Sequence, residues 1–103
     1  MLDPFALDLL SALSEPIRLE IIEMLAISPD PLMVEMIAAR IGRSQPIVSH
    51  HLSILRDAEV VDCVESGRCH FYSLTSDFLA GQLSKDPSGR LTLTIPFTKG
   101  GGR

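Results

Sequence analysis

The stretch Ile41–Ala58, IGRSQPIVSHHLSILRDA, decides the fold of this chain. Gly42 follows an apolar pattern of helical spacing, and a glycine in that position is expected to end a helix in the left-handed conformation. Ser44 then has the side chain of a helix N-cap, and Pro46 fits in the first turn of the next helix. Two helices separated by so short a turn have the size of a helix-turn-helix, which the stretch therefore predicts.

The second helix of this unit has an apolar side and a polar side. Its inward stripe is apolar: Ile47, Val48, Leu52 and Leu55. Its outward positions carry hydrogen-bonding or cationic groups: Gln45, Ser49, His50, Ser53 and Arg56. In a helix-turn-helix the second helix enters the major groove of DNA and presents its N-terminal residues to the base edges. The pattern fits that use, and the unpaired N–H groups at the start of the helix favour phosphate.

The acidic charge of the chain lies away from this helix. The 103 residues include 13 acidic and 9 basic side chains, a formal net charge of −4, which would ordinarily argue against a nucleic-acid partner. Residues 1–39 hold a net charge of −6, whereas residues 40–56 hold three arginines, two histidines and no acid. Because salt screens charges beyond about 8 Å, the local surface matters more than the total. Residues 40–56 are therefore compatible with DNA binding, and a solvated arginine face is the alternative.

Capping and turn signals predict the elements around this unit. An acid followed by proline indicates the start of each of the three preceding helices, at Asp3-Pro4, Glu15-Pro16 and Asp30-Pro31. Beta-branched and aromatic residues on both sides of residues 65–68 predict a hairpin. Ser76 is expected to cap a last short helix that continues to about Lys85. The order predicts a mainly α fold with a small β-hairpin, a winged helix-turn-helix of α-α-α-α-β-β-α order.

Length and composition bound the class of protein. We expect one domain over residues 1–85 and a C-terminal extension over residues 86–103, with a short strand at 91–95 and a flexible tail. With 46% hydrophobic and 21% charged residues, the chain is typical of a globular protein. No apolar run approaches a membrane span, no basic residue precedes Arg18, and two cysteines make no disulfide scaffold. We therefore expect a cytoplasmic protein with no signal peptide and no membrane partner.

Three segments resemble the ArsR/SmtB family of winged helix-turn-helix regulators. Leu13–Leu19, LSEPIRL, is similar to the opening of the family's second helix, and Ile41–Ala58 resembles its recognition segment. Val61–Leu74 resembles its wing. The resemblance as a whole covers approximately residues 5–80. It implies a homodimer that binds double-stranded DNA at a palindromic operator. It also implies release by an inducer, commonly a metal ion, a metalloid or a thiol oxidant.

The resemblance further implies which residues contact DNA. Five would face the major groove: Ser44, Gln45, Ser49, His50 and Ser53. Arg43 and Arg56 would reach phosphates, and Arg68, at the hairpin tip, would reach the DNA backbone or the minor groove. The family usually has a histidine at the position of His51, beside the apolar stripe. A DNA contact and a packed histidine bonded to backbone both stay open for that residue.

The chain departs from the family at two places. Glu59 stands where the family usually has glycine, and in the left-handed region a glutamate costs about 1 kcal/mol relative to glycine. The family's terminal helix is often long, whereas here it is interrupted near Pro87. We then expect the dimer interface mainly on the first helix, with Phe5, Leu9 and Leu10 as candidate residues and with a contribution from Leu91–Phe97.

The metal sites of the family are absent from this sequence. Its best-known metalloid site uses a Cys-x-Cys near the start of the third helix, where this chain has Met33 and Glu35. Its zinc-type site uses Asp, His and Glu on the last helix, where residues 76–85 have one acid, Asp77, and no histidine. Because a metal needs ligands of the right kind, we expect no metal at either place, and no cofactor.

Cys63 and Cys69 flank the hairpin loop and are candidate thiol sensors. A three-residue loop, Glu65–Gly67, would put them opposite each other with Cβ atoms about 4.5–5.5 Å apart, near disulfide or shared-metal range. A two-residue loop, Ser66-Gly67, would put them on opposite faces. His70 adjoins Cys69 in the chain but points to the other face of a strand, so it is a poor third ligand. Two small apolar strand residues in a reducing cell are the alternative.

The leading hypothesis is a sequence-specific DNA-binding transcriptional regulator that acts as a repressor. A winged-helix module that binds protein instead of DNA is the alternative, because residues 1–84 contain no lysine and few bases. A thiol enzyme that uses Cys63 and Cys69 is not expected. The sequence has no Cys-x-x-Cys, no nucleophile with an evident base and no phosphate-binding loop.

Overall fold

Four helices precede the hairpin in the computed structural model, which describes residues 4–76, 78, 83–85, 87–88 and 91–93. The helices are α1 (Pro4–Ala12), α2 (Pro16–Ile27), α3 (Val34–Ile41) and α4 (Gln45–Asp57). An antiparallel sheet has three strands in the order β1-β3-β2: β1 (Leu32–Met33), β2 (Val61–Ser66) and β3 (Cys69–Leu74). Two more strands pair with each other, β4 (Leu83–Lys85) and β5 (Leu91–Leu93). The predicted class, mainly α with a small hairpin, is confirmed.

The predicted cap residues begin and end the central helices. The Glu15 carboxylate accepts a hydrogen bond from the N–H of Ile17 at 2.6 Å and caps α2. The Ser44 hydroxyl accepts one from the N–H of Ile47 at 3.4 Å and caps α4. Gly42 ends α3 with a φ of 79°, the left-handed region that glycine adopts without a Cβ clash. The helix-turn-helix read from residues 41–58 is therefore present.

The third helix does not begin at Asp30-Pro31 as predicted. Residues 32 and 33 form β1 opposite residues 71 and 72 of β3, and α3 begins only at Val34. Its N-cap residue, Met33, has no capping hydrogen bond from its side chain. The partner of β1 lies far along the chain, so the local capping signal could not reveal this strand.

The hydrophobic core lies where α4 packs against the other helices and the base of the sheet. Its largest fully buried side chains come from several elements: Leu9, Ile21, Ile37, Val48, Leu52, Leu55, Val60 and Val61. Val48, Leu52 and Leu55 are each 0% exposed, which confirms three of the four predicted members of the inward stripe. Ile47, the fourth, is 45% exposed, so its assignment to the core is wrong.

The hairpin turns at Gly67-Arg68 and at neither of the loops considered from the sequence. Ser66 pairs with Cys69, and Cys63 pairs with Tyr72. Gly67 has a φ of 63°, as expected for glycine at the first central position of a two-residue turn. Residues that face each other on adjacent strands share a face, and successive residues alternate, so the two cysteines lie on opposite faces. The facing arrangement of the thiols is therefore wrong, and both thiols are free.

The segment after the hairpin differs from the predicted helix. Thr75, and not Ser76, supplies the cap, because its hydroxyl accepts a hydrogen bond from the N–H of Phe78 at 3.2 Å. Ser76 and Phe78 are helical, but residues 83–85 form β4. Pro87 does not continue a helix, and residues 83–85 instead pair with residues 91–93 in an antiparallel arrangement. The predicted domain boundary after residue 85 thus falls inside a strand pair.

Several predictions concern residues outside the described ranges. They are the helix start at Asp3, the single acid Asp77, residues 94–95 of the predicted strand and the tail at 99–103. The strand predicted at 91–95 is confirmed for residues 91–93. Among the described helices, none is long and apolar enough to cross a membrane.

Glu59 has the backbone conformation for which the family uses glycine. Its φ is 63°, and within the described ranges it is the one non-glycine residue with a positive φ. We predict that Glu59→Gly has a free energy of unfolding about 1 kcal/mol above that of Glu59→Ala, because only glycine adopts this region without Cβ strain. Both variants lack the carboxylate, so urea unfolding followed by circular dichroism isolates the backbone term. Equal stability of the two variants would contradict strain at this position.

Candidate nucleic-acid interface

The polar side of α4 is open to solvent. Seven of the predicted DNA contacts, on the helix and just before it, are exposed: Arg43, Ser44, Gln45, Ser49, His50, Ser53 and Arg56. They face outward because the apolar stripe on the other side of α4 packs against α2 and α3. The exposed side offers amide, hydroxyl, imidazole and guanidinium groups, which bind base edges and phosphates in the major groove.

Cationic groups lie at both ends of this surface. Arg43 is exposed just before the N-terminus of α4, where the helix dipole is positive. Arg56 is exposed in the last turn. The rise of a helix separates Gln45 from Arg56 by about 16 Å along the axis. The hydrogen-bonding residues between them therefore lie between two groups that favour phosphate.

Ile47, predicted to lie in the core, is instead a candidate contact. Its exposed side chain lies on α4 among polar neighbours. Apolar side chains on a helix in the major groove contact the methyl group of thymine. Ile47 is about 100° around the helix from the fully buried Val48. This angle, rather than the hydrophobicity of the side chain, would have predicted that Ile47 is exposed.

His51 is turned toward the body of the protein and lies in a side-chain network. Its Nδ1 is 3.1 Å from Nη1 of Arg18, and its Nε2 is 3.4 Å from a carboxylate oxygen of Glu15. A guanidinium has no acceptor, so Nδ1 accepts from Arg18 and the ring proton is on Nε2, which donates to Glu15. The packed position left open by the sequence is therefore present, although the partners are side chains and not backbone.

The environment of His51 lowers its pKa. Burial has the largest effect, because it disfavours the charged ring. Glu15 raises the pKa, whereas the charges of Arg18 and His50 lower it. The net reduction agrees with the neutral ring that the bond from Arg18 requires.

Arg18 is a buried charged residue whose role was not predicted from the sequence. Its Nε donates to the carbonyl of Ala12 at 2.6 Å, and its Nη2 donates to that of Ser11 at 3.3 Å. These carbonyls belong to the last turn of α1, which a cation stabilises. The one feature of the sequence that points to Arg18 is its place in the segment LSEPIRL, two residues after the proline that begins α2. One guanidinium thus contacts the end of α1 and the side of α4.

The hairpin exposes its predicted contact at the tip. Arg68 is exposed in the turn between β2 and β3. At the base, Val61 and Leu74 are buried in the core, which attaches the hairpin to the helices. Arg68 is therefore presented on a strand pair that is anchored at one end.

The thiol of Cys63 lies beside the side chain of His70. Its Sγ lies 3.7 Å from Nδ1 of His70, and the same nitrogen lies 3.9 Å from Glu65. His70 adjoins Cys69 in the chain, but the strand register places it on the same face as Cys63. Burial raises the pKa of Tyr72, opposite Cys63, and a hydrogen bond with Cys63 raises it further. The described part of the chain contains no group of three or more His, Cys, Asp or Glu residues that could hold a metal ion.

The dimer candidates on α1 differ in exposure. Leu9 is 1% exposed and packs in the core of its own chain, so it is not available to a partner. Leu10 is 38% exposed, and Leu7, which was not among the predicted candidates, is 54% exposed. The side chain of Phe5 lies outside the described set. Among the side chains of α1 that the structure describes, Leu7 and Leu10 are the exposed large apolar ones.

A helix-turn-helix with an exposed polar second helix, followed by an antiparallel hairpin, defines a winged helix-turn-helix protein. A family model described as bacterial regulatory protein, arsR family, matches residues 15–62. The chain is 38% identical over 71 residues to the arsenical resistance operon repressor of Staphylococcus xylosus, a match that covers 69% of this chain and 66% of that repressor. It is 33% identical over 73 residues to the transcriptional repressor SdpR of Bacillus subtilis strain 168, covering 71% of this chain and 79% of SdpR.

A solved structure agrees with these relatives. The homodimeric winged helix-turn-helix DNA-binding domain of Mb0332 from Mycobacterium bovis superposes with a TM-score of 0.67 at 25% identity, over 74% of this chain and 68% of that one. The chain therefore belongs to the arsR family of bacterial regulatory proteins. It is a DNA-binding transcriptional regulator, and its family is not a family of enzymes.

Proposed function

We propose that this chain is a cytoplasmic repressor that binds a palindromic operator as a homodimer. The observation that carries the proposal is the exposed polar side of α4, from Gln45 to Arg56, opposite a fully buried apolar stripe. Two copies related by a two-fold axis read two half-sites of opposite orientation, so a palindrome follows from a dimer. The names of the two repressors among the relatives support repression.

The exposed residues divide into two proposed roles. Base edges are read by groups on the outward side of α4: Ser44, Gln45, Ile47, Ser49, His50 and Ser53. Phosphates are bound by arginines: Arg43, Arg56 and Arg68. Because the described arginines are few, affinity depends on specific contacts and on dimerisation, and non-specific binding is weak.

Duplex DNA selected from a random pool tests this division. Wild-type affinity is expected to fall steeply with salt, because each phosphate contact releases counterions. Arg56→Ala should weaken binding to all duplexes and reduce the salt slope by about 1. Gln45→Ala should lose about 1–3 kcal/mol of discrimination at one base pair and relax specificity there. Fluorescence anisotropy over a salt series measures both quantities.

Arg40→Ala is the matched control for the loss of an arginine. Arg40 is exposed beside Glu20 and Glu23 in a groove between α2 and α3, so its loss should leave affinity unchanged. Binding with no salt dependence would contradict the proposal. A folded protein that shifts no duplex at low salt would instead favour the protein-binding module.

The dimer is proposed to form through α1. Leu7 and Leu10 are exposed on this helix, and the Mb0332 domain is homodimeric. The double variant Leu7→Glu with Leu10→Glu is expected to sediment as a monomer at concentrations where the wild type is a dimer, because like charges replace the apolar contact. Ile27→Glu, at a 60% exposed position on α2, is the control and should stay dimeric. A dimer that survives the double substitution would contradict an interface on α1.

The release signal is proposed to be oxidation of Cys63. Its Sγ lies beside the imidazole of His70, on the strand that packs against α4. Glutathione joined to Cys63 by a mixed disulfide would add bulk beside β2. Because β2 packs against α4, this bulk would disturb α4. Oxidised glutathione should therefore lower operator affinity in the wild type and in Cys69→Ser, but not in Cys63→Ser. Mass spectrometry checks the adduct, and unchanged affinity of the modified wild type would end this part of the proposal.

A further inference from the structure

The guanidinium of Arg18 joins three parts of the fold. It is buried and donates to Ser11 and Ala12 at the end of α1 and to His51 on α4. Glu15 completes the network, because one carboxylate oxygen accepts from the N–H of Ile17 and the other lies 3.4 Å from His51. The end of α1, the N-cap of α2 and the side of α4 are thus linked by side-chain hydrogen bonds.

We infer that Arg18 and His51 are positioning residues for DNA binding, which hold α4 at a defined rotation about its axis relative to α1 and α2. The inference rests on the proposed function of α4 as the helix that reads DNA. Neither residue is proposed to touch DNA. Both act through the orientation of the exposed residues that do.

The apolar stripe sets which side of α4 faces the core, and directional bonds fix its rotation more finely. Apolar burial is non-directional, whereas hydrogen bonds lose strength as their angles depart from linearity. The bonds of His51 lie on the side of α4, between the buried stripe and the exposed surface. They therefore resist rotation that apolar contacts would tolerate.

The link to the reading surface is short. His50, an exposed candidate for base contact, is the next residue, and its ring centroid lies 5.5 Å from that of His51. A rotation of α4 that breaks the bond to Arg18 moves His50 and the neighbouring Ser49 together. The expected effect is on specific recognition more than on general attraction to phosphate.

The network depends on the protonation of His51. The charged and titratable groups that act on its ring are the N-cap residue Glu15, Arg18 from α2 and His50 from α4, while α1 reaches it through the carbonyls bound by Arg18. Protonation removes the acceptor and places a second cation 3.1 Å from the guanidinium. Because burial lowers the pKa of His51, the network is intact at neutral pH. It is lost as pH falls below the ordinary histidine value of about 6.5 and through the lowered pKa.

Two substitutions of His51 separate positioning from folding. In His51→Gln the amide oxygen accepts from Arg18 and the amide nitrogen donates to Glu15, so both bonds can be kept without a titrating group. In His51→Leu both are lost and Arg18 keeps an unmet donor. Operator affinity should stay within about threefold of wild type in the first variant and fall about tenfold in the second. Affinity for a scrambled duplex should change little in either.

The pH profile and nitrogen-15 NMR are readouts that a general loss of stability would not reproduce. On acidification, wild-type operator affinity should fall relative to that of His51→Gln, because only the wild type loses the bond from Arg18 to residue 51. In the wild type, the Nδ1 signal of His51 should be that of an unprotonated nitrogen at pH 7.5. If His51→Leu does not fold, the pH profile of operator affinity in His51→Gln tests the inference.

Equal operator affinity of folded His51→Leu and wild type would overturn the inference while leaving the proposed function intact. So would an acid dependence in His51→Gln identical to that of the wild type. Wild-type protein that selects no duplex from the pool would overturn the proposed function and this inference together. A loss confined to the operator duplex, with the predicted pH profile, would support both.

Discussion

The burial of one apolar stripe is the constraint on which the rest of this structure depends. Val48, Leu52 and Leu55 are each 0% exposed, and burying side chains of this kind contributes about 1.5–3 kcal/mol apiece. Once this side of α4 faces the core, helical geometry leaves a single side for solvent. The polar residues from Gln45 to Arg56 are then displayed together, so the surface proposed to read DNA is a consequence of how the core is built.

A second, polar level of organisation lies on that core. Burying the Arg18 guanidinium would be unfavourable without partners, and its bonds to two carbonyls and to His51 supply them. The Glu15 carboxylate has two roles, since it caps α2 and bonds His51. Apolar packing thus sets which side of α4 faces outward, and the polar network refines how that side is presented.

Local neighbours in the chain explain why much of this fold could be predicted. Glu15 and Ser44 cap helices through hydrogen bonds to residues two and three positions later. Gly42 ends α3 through its own backbone freedom, and the exposed polar positions follow from helical spacing. Glu59 has the positive φ that the family's usual glycine at this position suggested. The helix-turn-helix and most of the candidate contacts were therefore determined by the sequence by itself.

Only the tertiary structure decided the features that depend on partners far along the chain. Leu32 and Met33 form a strand because β3 offers them backbone hydrogen-bonding partners. The register of the hairpin places Cys63 and Cys69 on opposite faces. His51 could have faced either the groove or the interior, and the distant Glu15 and Arg18 directed it inward. A capping signal or a helical period acts over a few residues, whereas strand pairing and buried hydrogen bonds are decided only when distant segments meet in space.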